Sequence, residues 1–183
     1  MTDAPDSSRN PEVQPEELQL DPAQMAFLQQ KLDAEQNLGM ALGAGLVSSL
    51  AGAGLWAGIT VATGYQIGFM AIGVGFLVGF AVRAAGKGVS SVFGVVGAVF
   101  ALVGCALGNL LAVAAIVGQN EGVPFLDVLT QLDFALIQEL MVATFSPMDL
   151  LFYGFAIYEG YRLSFREITP EDVDAALSGG GPL

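Results

Sequence analysis

The chain has 183 residues, of which 54% are hydrophobic and only 13% are charged. Its formal net charge of −12 at pH 7 argues against a nucleic-acid partner, because such a partner requires clustered lysine and arginine. The sequence contains no histidine, so the commonest general base and the commonest metal ligand are both missing.

Two long stretches of the sequence carry no charge at all. Positions 36–82 and 88–120 contain no Asp, Glu, Lys or Arg. A bilayer core about 30 Å thick needs about 20 helical residues per crossing, so the first stretch suits two spans and the second suits one. We therefore expect an all-α integral membrane protein.

The predicted elements follow one another along the whole chain. The acidic, proline-rich N-terminus lacks the basic region of a signal peptide, and we expect a disordered tail there. A membrane domain at 38–162 with four transmembrane helices follows, flanked by helices outside the bilayer. The predicted segments are the tail at 1–20, an amphipathic helix at 21–37, spans at 38–61, 69–83, 92–116 and 148–162, an interfacial helix at 125–145, and an acidic C-terminal tail at 163–183 with a short helix at 170–177.

The segment 125–145 is apolar enough to suggest a fifth span, but it contains Asp127, Asp133 and Glu139. Each of these residues would cost about 2.5–3.5 kcal/mol at mid-membrane. Apolar residues recur at helical spacing while polar residues gather on another side, which favours an amphipathic helix on the outer side. Whether this helix lies flat or dips into the bilayer is left open.

Three predicted helices begin with a capping residue followed by proline. The capping residues are Asp21, Ser146 and Thr169, and a hydrogen-bond acceptor stands three positions after each of them. This acceptor can reach back to the backbone of the cap, and Asp149 has that role after Ser146.

The basic residues predict the orientation of the spans. With four spans, all six basic residues fall on one side of the membrane. The positive-inside rule makes this side cytoplasmic, so both termini lie inside. A layout with three spans would place Arg162 and Arg166 outside. The six basic residues are Arg9, Lys31, Arg83, Lys87, Arg162 and Arg166.

The stretch from Gly73 to Gly79 is close to a dinucleotide-binding loop, but its uniformly apolar surroundings lack the strand and the acidic residue that such a loop needs. We interpret the glycines as helix-packing positions, because close backbone approach matters more where lipid supplies little hydrophobic driving force. Each of the first three spans carries such a face, and the spacing leaves open whether these faces pack within a subunit or between subunits. The G-x-x-x-G pairs are Gly39/Gly43, Gly54/Gly58, Gly75/Gly79 and Gly104/Gly108.

Polar residues within the spans have two interpretations each. Asn109 could line an ion path, but an interhelical hydrogen bond is favoured over it. Glu159 precedes Arg162 by three residues, so a local ion pair is favoured over an intramembrane carboxylate site. The aromatic residues Trp56, Tyr153, Tyr158 and Tyr161 are interpreted as interfacial anchors.

Sequence motifs give little support to catalysis. The metalloprotease motif H-E-x-x-H and the hydrolase motif G-x-S-x-G are both absent, and Ser48-Ser49 and Ser90-Ser91 have no nearby base. We expect no catalytic residue, no metal site and no cofactor.

Four stretches carry a resemblance to small multi-pass bacterial inner-membrane proteins, an uncharacterised family. They are GFMAIGVG at 68–75, Val82-Arg83, GKG at 86–88 and GCALGN at 104–109. The resemblance covers about a quarter to a third of the chain, and both tails lie outside it. It implies a bacterial inner-membrane location and brings no activity or cofactor.

These observations support two hypotheses about function. The first is a structural or accessory subunit, embedded among membrane lipids in a homo- or hetero-oligomer, with acidic tails that meet a cytoplasmic protein partner. The second is an oligomeric channel or transporter with a polar path near Asn109 or Glu159. An enzyme is a distant third hypothesis.

Overall fold

A computed structural model describes residues 20–65, 68–144 and 146–179, and every regular element in this part of the chain is an α-helix. The tail predicted at 1–20 lies, apart from Leu20, outside the described residues. The eight helices are α1 Pro22–Glu35, α2 Leu38–Thr63, α3 Met70–Gly86, α4 Ser91–Glu121, α5 Phe125–Gln131, α6 Phe134–Thr144, α7 Pro147–Arg162 and α8 Pro170–Gly179.

Two of the described helices, α2 and α4, are long and apolar enough to cross a membrane. The apolar helix α3 is shorter, with 17 residues. Helices α6 and α7 are apolar enough only when taken together, and their axes differ by 104°. The structure therefore has two candidate spans, or three if this bent pair forms one.

Local hydrogen bonds explain where two of the helices begin. At the start of α1, Gln24 N donates to Asp21 Oδ1 at 2.7 Å and Asp21 N donates to Gln24 Oε1 at 2.9 Å. At the start of α7, Met148 N donates to the Ser146 hydroxyl and Ser146 N donates to Asp149 Oδ2 at 2.8 Å. These reciprocal bonds satisfy backbone N–H groups that a helix N-terminus leaves without partners.

A residue in the left-handed backbone conformation follows each of the three longest helices. Gly64 follows α2 with φ 71° and Gly122 follows α4 with φ 66°. Lys87 ends α3 with φ 49° and is the one described residue other than glycine with positive φ. A left-handed residue lets its own N–H bond back to the last turn and stops the helix.

The chain divides into two units, and the larger comprises residues 31–168. The smaller comprises, in the described part of the chain, residues 20–30 and 169–179. In its described part the Phe27 ring lies against Gly179, where a Cβ would come within 2.7 Å of Cζ. Helix α8 begins with reciprocal bonds between Thr169 and Asp172, in which Thr169 N donates to Asp172 Oδ2 at 3.1 Å and Asp172 N donates to Thr169 Oγ1 at 3.3 Å.

In the larger unit α2 and α4 run in the same direction. The Phe100 ring of α4 lies against Gly45 early in α2, and the Trp56 ring later in α2 lies against Gly108 of α4. Contacts that advance together along both helices require a parallel arrangement.

Helix α3 is antiparallel to α2. Ala41 near the start of α2 lies against Gly86 at the end of α3, whereas Gly52 farther along α2 lies against Val74 near the start of α3. The short connection between the two helices is consistent with this arrangement.

Helix α7 is antiparallel to α4. The Tyr161 ring lies against Gly94 early in α4, whereas the Tyr153 hydroxyl donates to the carbonyl of Cys105, farther along α4, at 3.3 Å. The four helices α2, α3, α4 and α7 therefore alternate in direction along the chain. Their shared core consists mainly of alanine and valine with Trp56, Phe93, Cys105 and Tyr153.

The segment predicted as one helix at 125–145 forms two helices, so that prediction is wrong. Leu132 and Asp133 interrupt it between α5 and α6. The Asp133 carboxylate accepts from Leu136 N at 2.7 Å, and its carbonyl accepts from Ile137 N at 3.0 Å. Asp133 thus acts as an N-terminal cap inside the predicted helix, and Asp is among the residues that most favour such a position.

Candidate functional site

Three buried polar groups lie in a row on the inner side of α2. Ser49, Trp56 and Thr60 are each at most 1% exposed. Their positions i, i+7 and i+11 place them on one helix face. Within the described part of the chain Ser49 Oγ, Trp56 Nε1 and Thr60 Oγ1 have no hydrogen-bond partner. We call these three residues the α2 polar row.

The α2 polar row faces glycines of α4. A Cβ at Gly104 would lie 3.1 Å from Ser49 Oγ, and one at Gly108 would lie 2.8 Å from Trp56 Cε3. The neighbouring Ser48 differs, because its hydroxyl donates to Ala44 O of its own helix at 2.7 Å. The hydroxyl of Ser49 has no such bond although the same kind of acceptor exists in its own helix.

The side chain of Asn109 joins α4 to α6. Asn109 is only 2% exposed, and its Nδ2 donates to the sulfur of Met141 at 3.8 Å. The thiol of Cys105, one turn earlier, donates to the carbonyl of Ala71 in α3 at 3.7 Å. These weak bonds connect α4 with its neighbours through groups that are hidden from the surface.

Two of the four aromatic residues expected at the membrane interface are instead buried. Trp56 is 1% exposed and Tyr153 is 8% exposed. Both occupy space that glycines or backbone groups of α4 leave open, which is why a large ring fits inside the bundle. Tyr158 and Tyr161 are exposed, as an interfacial position requires.

The ion pair expected between Glu159 and Arg162 does not form among the described residues, where two other ion pairs are present. Arg83 Nη1 lies 2.9 Å from Glu167 Oε1, and Arg166 Nη1 lies 2.6 Å from Glu35 Oε2. Glu159 is half-buried, and its carbonyl accepts from Leu163 N.

The glycines predicted on α3 face α7 at backbone distance. A Cβ at Gly75 would lie 2.6 Å from Ala156 O, and one at Gly79 would lie 3.1 Å from Glu159 O. On α4, Gly104 and Gly108 adjoin α2 through Ser49 and Trp56, as described above.

Among the described residues, no other helix packs against the glycines predicted on α2. A Cβ at Gly43, Gly54 or Gly58 would meet nothing within 4 Å, and one at Gly39 would meet only its own cap, Asn37, at 3.4 Å. These glycines lie on the side of α2 opposite to its buried residues, as a period of 100° per residue requires. The sequence predicts helix packing at these glycines without saying whether the partner helix belongs to the same subunit or to another, and the described part of the chain supplies no partner helix.

Other glycines make the contacts that sequence reasoning missed. In α2, Gly45 and Gly52 meet Phe100 and Val74, and α4 crosses α7 where Gly97 lies against Gly160. The α2 polar row was not predicted either. The spacing of Ser49, Trp56 and Thr60 on one face was the available signal.

One end of the bundle carries basic residues of the larger unit. Asn37 N donates to Gly86 O and Arg166 N donates to Gly88 O, both at 2.8 Å. These bonds bring the start of α2, the end of α3 and the segment after α7 together. The basic residues close to this end in sequence are Arg83, Lys87, Arg162 and Arg166.

Two features bear on bound groups. In the described ranges no group of three or more Cys, Asp or Glu side chains gathers as a metal site would require. The surface grooves are apolar, such as one of about 270 Å³ between α2 and α3 that is lined by Leu55, Met70 and Leu77 among others.

Comparisons of the chain with protein-family models, with curated proteins and with solved structures find no match.

Proposed function

We propose that the chain is a four-span membrane protein that serves as a structural or accessory subunit of a membrane assembly and has no catalytic activity of its own. The observation that carries the proposal is the alternating direction of α2, α3, α4 and α7, combined with basic residues at one end of the bundle. Four crossings with that alternation place both ends of the membrane domain on one side, and the positive-inside rule makes that side cytoplasmic.

The lengths of α3 and α7 are compatible with crossing. They contain 17 and 16 residues, which corresponds to about 24–26 Å at 1.5 Å per residue. A short span is accommodated by local thinning of the bilayer and by flanking residues that reach the interface. Arg83 and Arg162 lie in the last turns of these two helices and can serve as such flanking residues.

The interior of the bundle favours a structural role over transport. Gly97 meets Gly160 and Gly75 meets Ala156 at backbone distance. Apolar side chains fill the space between these crossings. Helices that touch in this way leave no room for a solvated path between them.

The outward glycines of α2 are the proposed assembly face. Gly43, Gly54 and Gly58 leave gaps on the outer side of α2, and large apolar residues between them, such as Val47 and Leu50, are 67% and 53% exposed. In lipid, such gaps at small residues let a second helix approach closely. We infer that another subunit, identical or different, packs there.

The remaining parts of the proposal concern location and partners. The resemblance stated above supports a bacterial inner membrane with both termini cytoplasmic. The acidic tails would then be available to a cytoplasmic protein partner, whereas their charge disfavours nucleic acid.

Cysteine labelling tests the number of spans. Single cysteines at Ser90, Glu121 and Ile168 in a Cys105→Ser background are suited to this, because all three positions are exposed. Gly88 is unsuitable, since a Cβ there would clash with the Phe93 ring. We expect Ser90 and Ile168 to be labelled from one side and Glu121 from the other. Labelling of Ile168 from the same side as Glu121 would remove α7 as a span and refute the four-span arrangement.

The mass of the particle in mild detergent tests the assembly face. We expect wild type to be oligomeric, Gly58→Leu to lower the mass, and Gly73→Leu to leave it unchanged. Gly73 is a matched control, because a Cβ there also meets nothing within 4 Å. A monomeric wild type would refute self-assembly through this face.

An oligomeric channel or transporter is the second candidate, and the observation that favours it is the set of buried polar groups. Asn109 and the α2 polar row supply hydroxyl, indole and amide groups inside an otherwise apolar bundle. A structure of the assembled particle distinguishes the two functions. A continuous polar lumen beside Asn109 or Glu159 would support transport and remove the structural role.

A further inference from the structure

The outer face of α7 carries a groove that opens away from the bundle. The groove has a volume of about 410 Å³ and is lined by Leu151, Gly154, Phe155 and Tyr158. Leu151, Phe155 and Tyr158 are each about half exposed, at 52%, 49% and 56%. Gly154 forms the floor, since a Cβ there would meet nothing within 4 Å.

A basic residue ends this groove. Arg162 follows Tyr158 by four positions and Leu151 by eleven, so it lies on the same helix face. Its side chain is exposed and has no ion pair or hydrogen bond within the described part of the chain. One face of α7 therefore carries an apolar groove, a tyrosine hydroxyl and an exposed guanidinium in that order.

We propose that this face of α7 binds one anionic phospholipid, with an acyl chain in the groove over Gly154 and the phosphate at Arg162. The inference rests on the four-span arrangement proposed above, which puts Arg162 at the cytoplasmic interface. Arginine binds phosphate with a planar array of donors, and tyrosine at the headgroup level presents its hydroxyl to the polar layer.

Charge favours a lipid over a second copy of the chain in this groove. Copies inserted with the same orientation place their basic ends at the same level of the membrane. A symmetric contact through α7 would then bring one Arg162 towards the other, and like charges in contact are destabilising. An anionic headgroup neutralises Arg162 instead. Glu159 lies one turn away on the neighbouring side and is the acidic group that would oppose the headgroup.

Lipid titration followed by native mass spectrometry tests the proposal. The full chain in mild detergent is titrated with dioleoyl phosphatidylglycerol or with dioleoyl phosphatidylcholine, which has the same chains and a zwitterionic headgroup. We expect one phosphatidylglycerol to bind more tightly than phosphatidylcholine. One basic residue near a membrane surface is worth about 1 kcal/mol, so Arg162→Gln should weaken phosphatidylglycerol binding about fivefold. Glu159→Gln should strengthen it.

Two further variants separate this site from general attraction to a basic surface. Gly154→Leu fills the groove without a clash and should weaken both lipids. Lys87→Gln removes an exposed charge from the same end but not from the groove, and it should leave the first bound lipid unchanged. Equal losses in Lys87→Gln and Arg162→Gln, or unchanged binding in Gly154→Leu, would overturn the proposal. A dimer that Gly154→Leu dissociates would assign the groove to a second copy and overturn it as well.

The labelling experiment keeps this inference separate from the proposed function. If Ile168 and Glu121 are labelled from opposite sides while lipid binding does not depend on Arg162, the lipid site alone is refuted.

Discussion

Gly75 in α3 lies directly against the backbone of Ala156 in α7. A Cβ at Gly75 would lie 2.6 Å from the carbonyl oxygen of Ala156 and 2.7 Å from its Cα. Both atoms belong to a helix backbone, so neither can move away as the end of a flexible side chain can. The close approach of α3 and α7 at this crossing thus depends on the absence of a side chain at Gly75.

Gly75→Ala is therefore expected to destabilise the protein. Adding a methyl group to a filled interface costs about 1–3 kcal/mol, because α3 and α7 must move apart. The free energy of unfolding, measured by titration with denaturing detergent, should fall by about this amount.

Gly73→Ala is the matched control for this prediction. Gly73 lies in the same helix, but a Cβ there would meet nothing within 4 Å. Replacing a helical glycine with alanine at an open position stabilises a helix by about 0.5–1 kcal/mol. Equal effects of the two substitutions would show that α3 and α7 do not pack through Gly75.

Ser49→Ala is expected to raise the stability of the protein. The Ser49 hydroxyl is fully buried and has no partner among the described residues, and an unsatisfied buried group costs about 1–3 kcal/mol. Ser48→Ala should instead lower the free energy of unfolding by about 0.5–1 kcal/mol, since Ser48 Oγ donates to Ala44 O at 2.7 Å. Thermal unfolding of the purified protein in one detergent compares the two variants.

A loss of stability in Ser49→Ala would have a specific meaning. It would show that a water molecule or a group of another subunit satisfies the Ser49 hydroxyl. A water molecule at this position would favour the transport function, whereas a group of another subunit would favour the structural one.

The parts of this fold that depend on nearby residues could be predicted from the sequence. Long uncharged stretches located α2, α3 and α4, and the capping residues located the starts of α1, α7 and α8. The bonds that decide these features join residues three positions apart, such as Ser146 with Asp149. Helices α3 and α7 are shorter than the two candidate spans α2 and α4, so the number of membrane crossings stays a prediction.

The partner of each glycine could not be predicted, because it depends on how the helices rotate about their axes. The G-x-x-x-G spacing is the same at Gly54/Gly58 and at Gly104/Gly108. Nevertheless the first pair faces outward and the second faces Trp56 and Ser49. The apolar residues around α2 are nearly continuous, so the sequence pattern does not define an inner side.

The ion pair between Arg166 and Glu35 is expected to contribute more than the pair between Arg83 and Glu167. The Arg166 and Glu35 side chains are 18% and 36% exposed, whereas Glu167 is 78% exposed. Exposed pairs are worth about 0–1 kcal/mol, and screening by solvent weakens them further. Glu35→Gln should therefore lower the free energy of unfolding by about 1 kcal/mol at low salt, an estimate at the upper end of that range.

Glu167→Gln is the control, and its effect should be within the error of the measurement. Salt distinguishes the two pairs further, because ions screen exposed charges most strongly. The difference between Glu35→Gln and wild type should persist at 0.5 M NaCl. A larger effect of Glu167→Gln would contradict the exposure argument.

Asp133→Ala is expected to alter the break between α5 and α6. The Asp133 carboxylate accepts from Leu136 N at 2.7 Å, and loss of an N-terminal cap of this kind costs about 1 kcal/mol. Alanine is also the best helix former, so the substitution favours one continuous helix over two. Amide hydrogen exchange in detergent measures the change at Phe134 and Leu136.

Asp133→Asn keeps an oxygen that caps the helix and should preserve the exchange rates of wild type. Faster exchange in Asp133→Ala would indicate loss of the cap alone. Slower exchange would indicate that the two helices have fused into one. Unchanged exchange would show that packing on α4 fixes the break without the carboxylate.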